Sequence, residues 1–532
     1  MSVPGEETGA PPWWRAGVMY QIYPRSFADS TGDGNGDLQG VIDHLDHLEW
    51  LGVDGIWLSP INTSPRADWG YDVSDYLSID PDFGSVEDLE RLVAEGGRRG
   101  IRILMDLVPN HTSDRHQWFV DARSSRTSKH RDWYVWADAT PDGAPPNNWR
   151  SSFGGPAWTW DGSTEQYYLH LFLPEQPDLN WWNPEVVAAF EEIVRFWFDR
   201  GVAGFRIDVA HALVNDRDLR DDSIALETDD PLVRAFGLRS DFSMNRPEAH
   251  EILGRWRAIA DAYEPRRILL GETWVTDLEA LARFYGTGED ELHLALNVPF
   301  EHAVPGPGMR AIVERTNALL PEAAWPLWNG SNHDAGRFPT RWCEGDERRA
   351  RAALVLLLGL RGTPLLYYGD EIGMPEVPVP KERLRDPVGL RTWPDPGRDP
   401  GRTPMQWSAG PTGEFTTGEP WLPVGDAEAC NLEEQVRDPG SVAHLCRDLI
   451  ALRRDRPALR SGRYEPIRAP EGVWAWRRGS DTAVAVNLSD RRVEVPLPGR
   501  VLLATDRDRD GHGATRSIPL APWEAAVLAT DR

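Results

Sequence analysis

The side chains best suited to acid–base chemistry in this 532-residue chain fall in four short strings, each closing an apolar run. Asp106 and Asn110-His111 follow Ile101 to Met105, Arg206-Ile207-Asp208 follow Gly204-Phe205, Glu272 follows Ile268 to Gly271, and His333-Asp334 follow Trp325 to Trp328. Cleaving a glycosidic bond needs one ionised carboxylate as nucleophile and one protonated carboxyl as acid, held roughly 5 Å apart when the anomer is retained. Asp208 and Glu272 suit that pair if their strands are neighbours. Arg206 and Asp208 lie two residues apart and share one face of a strand, so Arg206 is expected to keep Asp208 ionised while Phe205 and Ile207 pack on the other face. Asp334 supplies a third carboxylate, whose charge is expected to disfavour a second one beside it and which can hold sugar hydroxyls. His111 and His333 can donate to hydroxyls of the same ring. Any one of these residues alone is more often an ordinary strand-end polar group; the ordered set is the signal.

Such residues need a frame that gathers strand ends. Val18 to Tyr23 reads as a strand, and Leu38, Val41, Ile42, Leu45, Leu48 and Leu51 recur at helical spacing after a Gly/Asp loop. The alternation continues through Gly55 to Leu58, Val86 to Arg99, Ile101 to Val108, Val186 to Arg200, Gly204 to Val209, Ala249 to Tyr263 and Ile268 to Glu272. Helices Leu278 to Tyr285 and Met309 to Leu320 flank a strand Leu292 to Val298; Trp325 to Trp328 is a seventh strand and Arg348 to Leu360 a helix. Pro364 to Tyr368 is the eighth strand and Val442 to Arg454 the closing helix. Eight such units predict an α/β fold, a (β/α)8 TIM barrel with catalytic groups at the carboxyl ends of its strands. Residues 112–180 and 371–430 are far longer than ordinary βα loops and are expected to wall the site. Short runs after Arg460 predict a small C-terminal antiparallel β domain. The expected division is 1–111 and 181–460 for the barrel, 112–180 for an inserted domain after strand 3, and 461–532 for the C-terminal domain.

Composition narrows the partners. Lys plus Arg number 57 against 84 Asp plus Glu, a net charge of −27, which argues against nucleic acid and anionic membranes. No apolar run reaches the roughly 18 residues of a spanning helix. The opening MSVPGEETGAPPWWR lacks the basic start and apolar stretch of a secretory signal, and three cysteines are too few for a disulfide framework, so a cytoplasmic protein is expected. Twenty-five Trp, 12 Tyr and 15 Phe offer faces for stacking on sugars, or simply an aromatic core. Oligomeric state is left open.

The loop DSTGDGNGD places oxygen-bearing side chains at every second residue, Asp29, Thr31, Asp33, Asn35 and Asp37, among glycines that let the backbone curl. Hard oxygen donors at that spacing predict a structural calcium or magnesium ion; the alternative is a solvated acidic turn. No organic cofactor is expected.

The strings DLVPNH (106–111), GFRIDVAH (204–211), LLGETW (269–274) and NGSNHD (329–334) resemble, in order and spacing, the four signature regions of the α-amylase superfamily, glycoside hydrolase family thirteen. QPDLN at 176–180 looks like the mark of its oligo-1,6-glucosidase subgroup, which also holds α-glucosidases, trehalose synthases and sucrose isomerases. The resemblance implies that Asp208 is the nucleophile, Glu272 the acid/base and Asp334 the transition-state stabiliser, with Arg206, His111 and His333 completing the site for a non-reducing glucose. DWGYDV (68–73) is similar to a segment in which the first Asp and the Tyr grip that glucose, here Asp68 and Tyr71. By the same likeness Phe172 in YYLHLF and nearby Phe153 line the pocket, and Arg402 in RTPMQW stands at its entrance. A similar family loop binds calcium away from catalysis, often with Asn where this chain has Thr31. The implied activity is that of a retaining exo-acting α-glucosidase on short oligosaccharides or aryl and alkyl α-glucosides. A transglucosidase or sugar isomerase using the same site, or a non-catalytic relative, are the alternatives.

Overall fold

The computed structural model describes residues 11–530 of the chain; the first ten residues of the opening segment read above for a signal lie outside them. Eight parallel strands form the central sheet: β1 (Met19–Ile22), β2 (Gly55–Leu58), β3 (Arg102–Leu107), β4 (Gly204–Ile207), β5 (Ile268–Gly271), β6 (Leu294–Ala295), β7 (Leu327–Asn329) and β8 (Thr363–Tyr367). Their hydrogen-bonded order is β6-β5-β4-β3-β2-β1-β8-β7, the cyclic order of a nearly closed TIM barrel. Alternate strand residues point inward, and Met19, Trp57, Leu104, Leu270, Leu294, Trp325 and Leu365 fill the interior as one apolar cluster. Outward residues such as Phe205 and Ile207 join the larger core shared with the surrounding helices.

Local sequence chemistry explains the helices. Ser85 and Asp88 form a capping box at the start of Val86–Arg98. Asn183 caps Pro184–Asp199, whose first-turn proline surrenders no hydrogen bond and whose Val186, Phe190, Val194 and Trp197 are buried. Two expected elements differ. The first helix is broken at His44 into Leu38–Asp43 and Leu45–Leu51. The expected strand Leu292 to Val298 pairs only over Leu294–Ala295, because Asn297 caps a short helix Val298–His302.

The segment after β3 carries a three-stranded antiparallel sheet of Trp136–Ala137, Gln166–Leu169 and Trp158–Asp161. The segment after β8 is mostly irregular, with a short helix Pro387–Thr392 and a 3-10 turn Asp399–Gly401. A six-stranded antiparallel sheet, with Val473–Arg478, Thr482–Asn487 and Ala525–Ala529 at its centre, closes the chain. Among the described residues no helix is long and apolar enough to cross a membrane. The aromatic surplus goes mainly to packing: Trp57, Trp149, Trp197, Trp256, Trp325, Trp328 and Trp476 are fully buried.

Candidate active site

Strand register builds the site. Asp106 on β3 stands directly beside Arg206 on β4, and Ile207 pairs with Gly271 on β5, so the next residues, Asp208 and Glu272, are neighbours at the barrel rim. The guanidinium of Arg206 binds all three acids: Nη1 lies 2.9 Å from Asp106 Oδ1 and 2.6 Å from Asp208 Oδ1, and Nη2 lies 2.7 Å from Glu272 Oε2. Glu272 is oriented further by the backbone N–H of Val209, which donates to Oε2 at 2.9 Å. That N–H is aimed by an unusual backbone: Val209, β-branched and buried, has φ of 37°. Strain of this kind persists only where surrounding contacts enforce it.

The charge balance differs from a simple Arg206–Asp208 pair. Burial pushes the Asp208 carboxyl well up; Arg206 pulls it down, and Glu272 and Asp106 push it up again. Burial also raises Asp106, against the pull of Arg206. One guanidinium does not offset the burial of both Asp106 and Asp208. Arg206 therefore does not simply keep Asp208 ionised.

Asp334 is separate from that cluster. Its Oδ1 lies 3.2 Å from Arg398 Nη1 and 3.0 Å from Arg402 Nη2. Burial alone would raise its carboxyl, but the Arg398 and Arg402 guanidinium groups outweigh burial and hold it below the usual carboxylate range. Because two guanidinium groups neutralise it, Asp334 is not the unshielded like charge expected from sequence. Its backbone is fixed by Asn332, whose Oδ1 accepts from Asp334 N at 2.8 Å, while Asn329 and Asn332 both donate to buried Glu301. The two asparagines of NGSNHD thus share one anchor.

His333 is neutral, since burial lowers it well below its ordinary value. Gln21 Nε2 donates to its Nδ1 at 2.9 Å, leaving Nε2 to carry the proton toward Tyr71 Oη at 2.5 Å, and Tyr71 in turn donates to Asp106 Oδ2 at 3.2 Å. The Tyr71 ring stacks on the His333 ring at 5.4 Å and 8°. Burial pushes His111 down to about 4, and its Nε2 donates to the Tyr71 carbonyl at 2.9 Å.

A cavity of about 710 Å³ joins these groups, lined by Asp68, Tyr71, His111, Phe153, Phe172, Asp208, Glu272 and Asp334. All of these were expected from sequence. Phe153 and Phe172 meet edge to face at 5.7 Å, and Phe172 leans on His111. Arg402 is corrected: it is 1 % exposed, donates to the His333 carbonyl at 2.8 Å and lies over the Tyr23 ring, beneath Asp334 rather than at an entrance. The cavity also holds residues that the sequence reading did not single out, Gln176 and Arg398 among them. Gln176, in the QPDLN string, reaches Asp68 Oδ2 at 3.4 Å and the Tyr71 carbonyl at 3.2 Å. Arg398, in GRDPGRTP, binds Asp68 Oδ1 at 2.6 Å, and Asp386 at 2.7 Å anchors it from below. The spacing of Arg398 one helical turn before Arg402 was the only available hint.

The side chains of the Asp29–Asp37 loop bond one another and their own backbone. Asp29 already accepts from Thr31 N, Thr31 Oγ1, Gly32 N, Gly34 N and Thr416 Oγ1. Asp33 accepts from Asn35 N, Asp37 accepts from Ser30 and caps the following helix through Gly40 N, and Asn35 Oδ1 takes the Arg25 guanidinium at 2.7 Å. Among the described residues no group of three or more His, Cys, Asp or Glu side chains is placed to hold a metal ion. In this arrangement the loop's carboxylates serve its own amides and hydroxyls, and the Arg25 guanidinium lies on Asn35 Oδ1.

Comparison with known proteins agrees with this geometry. The family model described as "Alpha amylase, catalytic domain" matches residues 21–462. The chain belongs to the α-amylase family. A second model, a domain of unknown function (DUF3459), matches residues 460–527, the C-terminal sheet. The chain is 42% identical over 525 residues to a "Probable alpha-glucosidase" of Rhizobium meliloti (strain 1021), covering 95% of this chain and 94% of that protein. It is 36% identical to an "Oligo-1,6-glucosidase" of Heyndrickxia coagulans, covering 98% of this chain and 100% of that protein. Among solved structures, the alpha-glucosyl transfer enzyme XgtA superposes with a TM-score of 0.91 at 40% identity, covering 98% of this chain and 100% of that one. In this family member β4, β5 and β7 each deliver a carboxylate to one cavity, β3 delivers His111, and the two long insertions after β3 and β8 contribute its aromatic and arginine walls.

Proposed function

We propose that the chain is a retaining, exo-acting α-glucosidase that removes one glucose from the non-reducing end of a short α-glucoside. The observation that carries this reading is the pairing of Asp208 and Glu272 on one guanidinium, in a cavity crossed at its other side by the Asp68–Arg398–Asp334 ion pairs. In the first step Asp208 attacks the anomeric carbon while Glu272 gives its proton to the glycosidic oxygen; the C1–O bond breaks and a β-glucosyl ester forms on Asp208. In the second step the Glu272 carboxylate takes a proton from water, which attacks C1, releases α-glucose and restores both acids. Asp334, held ionised by its arginines, can accept hydrogen bonds from ring hydroxyls that strengthen as the ring flattens. Asp68 and Tyr71 would hold the glucose at the end away from the leaving group, which supports the exo reading.

Transfer to a sugar or other hydroxyl is the second reading, favoured by the 40% likeness to an alpha-glucosyl transfer enzyme, and it differs only in the acceptor of the second step. A cytoplasmic setting fits three cysteines that all remain free. The test is proton NMR of a maltose reaction at high enzyme concentration, with Asp208→Asn as control. α-Glucose appearing first from the wild type and none from the variant is expected; β-glucose first, or an active variant, would overturn the mechanism.

A further inference from the structure

A second cavity, of about 760 Å³, shares no lining residue with the catalytic one. Its walls come from the sheet of the first insertion (Trp136, Gln166), the loop after β4 (Asn215, Arg217) and the segment entering helix Pro184–Asp199 (Asn180, Trp182). Trp182 is 37 % exposed, although its Nε1 donates to the Asn215 carbonyl at 3.0 Å and so fixes the ring. Arg217 stands 5.6 Å from that ring and has no ion-pair partner among the described residues. The other two arginines of the cavity are occupied. Arg126 holds Asp138 and the carbonyls of Thr164 and Glu165; Arg131 lies over Trp136 at 3.4 Å and donates to the Ala122 carbonyl, Thr164 and Gln166. The exposed Asp132 carboxylate accepts no hydrogen bond among the described residues. Asn215 is 5 % exposed, yet its Nδ2 has no hydrogen-bond partner, and neither has Trp136 Nε1. Buried donors are nearly always paired, so these two call for an acceptor that the protein does not supply. An apolar ligand would leave them unpaired, and an anion would meet Asp132 on a chain of net charge −27. A neutral polyol satisfies all of them: its C–H face covers the indole, and its hydroxyls both donate to the carboxylate and accept from the guanidinium and amide.

We propose that this cavity is a second, non-catalytic saccharide site, which binds a neutral pyranose on the face of Trp182 with its hydroxyls on Asp132, Arg217 and Asn215. It lies back to back with the catalytic cavity: Val135 and Leu219 of one and Val209 and Phe172 of the other pack in a single apolar cluster. The probe is maltose, titrated by saturation-transfer NMR into the Asp208→Asn protein, so that no turnover intervenes. Two binding components are expected, one at each cavity. Covering one C–H group halfway is worth about twofold, so three such groups on the indole predict that Trp182→Ala weakens one component about eightfold and leaves the other unchanged. Trp182→Tyr, which keeps an aromatic face, is expected to restore most of that loss. Asp132→Ala, at an exposed side chain that holds nothing in the protein, is expected to weaken the same component several-fold. In the protein with Asp208 intact, Trp182→Ala should leave kcat/KM on maltose at low substrate unchanged. A maltose titration that neither Trp182→Ala nor Asp132→Ala alters, or a site that binds inorganic phosphate and not maltose, would overturn the proposal. If no α-glucoside is cleaved by the intact protein, the α-glucosidase reading fails, while the maltose titration still decides this one.

Discussion

Arg398 offers the sharpest test of how the glucose site is held together. Its Nη2 lies 2.6 Å from Asp68 Oδ1 and 2.7 Å from Asp386 Oδ1, and its Nη1 lies 3.2 Å from Asp334 Oδ1. Asp68 and Asp386 are 3 % and 0 % exposed. Charge centres about 4 Å apart interact by about 4 kcal/mol at an effective dielectric of about 20. Removing one partner of a buried pair leaves the other uncompensated, a loss of about 3–5 kcal/mol. Arg398→Met keeps most of the side-chain volume, so its loss in urea unfolding should be electrostatic and of that size. Asp334 retains Arg402, so the uncompensated charge falls on Asp68 and Asp386. Adding Asp68→Asn to Arg398→Met should therefore recover about 1–2 kcal/mol, a coupling that a double-mutant cycle reads directly. Kinetics give a second signature. Burial already raises the Asp68 carboxyl against the pull of Arg398 and Arg402. Without Arg398 it rises further, and the acid limb of kcat/KM on maltose moves to higher pH. A double variant no more stable than Arg398→Met, together with an unmoved acid limb, would refute this account of the ion pair.

Three other outcomes are expected. His111, His116 and His211 are each pushed down to about 4 by burial, so the unfolded chain binds more protons than the folded one between pH about 6.5 and about 4. Stability is full above that window and falls as pH drops through it, by up to about 1.4 kcal/mol per pH unit for each histidine; His116→Gln should flatten the pH dependence of urea unfolding, and an unchanged slope would count against it. Arg206→Lys puts one compact ammonium where a fork reaches Asp106, Asp208 and Glu272, and should lower kcat by about 10²–10³; near-normal kcat would mean the shared guanidinium is dispensable. Because the Asp29–Asp37 loop is closed by its own amides and Arg25, a chelator should leave the melting temperature unchanged; a fall reversed by calcium would mean that the loop opens around an ion.

The sequence by itself determined the barrel and the acids at its rim. Period-two and helical periodicities are set by local backbone geometry, and the strand-end strings place Asp106, Arg206, Asp208 and Glu272 within a residue or two of strand ends. Phe205 and Ile207 facing outward follow from the same alternation. Short elements were less legible: the split at His44 and the two-residue β6 depend on caps that compete with apolar runs. Only the tertiary structure decided how charge is shared. Arg206 has three acids rather than one, and Asp334 is neutralised by Arg398 and Arg402 from a Pro/Gly-rich segment with no periodicity to read. The Asp68–Arg398 pair spans 330 residues of chain. Periodicity records which face of an element is buried, but the direction of a guanidinium on an irregular loop depends on which distant carboxylates the folded chain brings within reach.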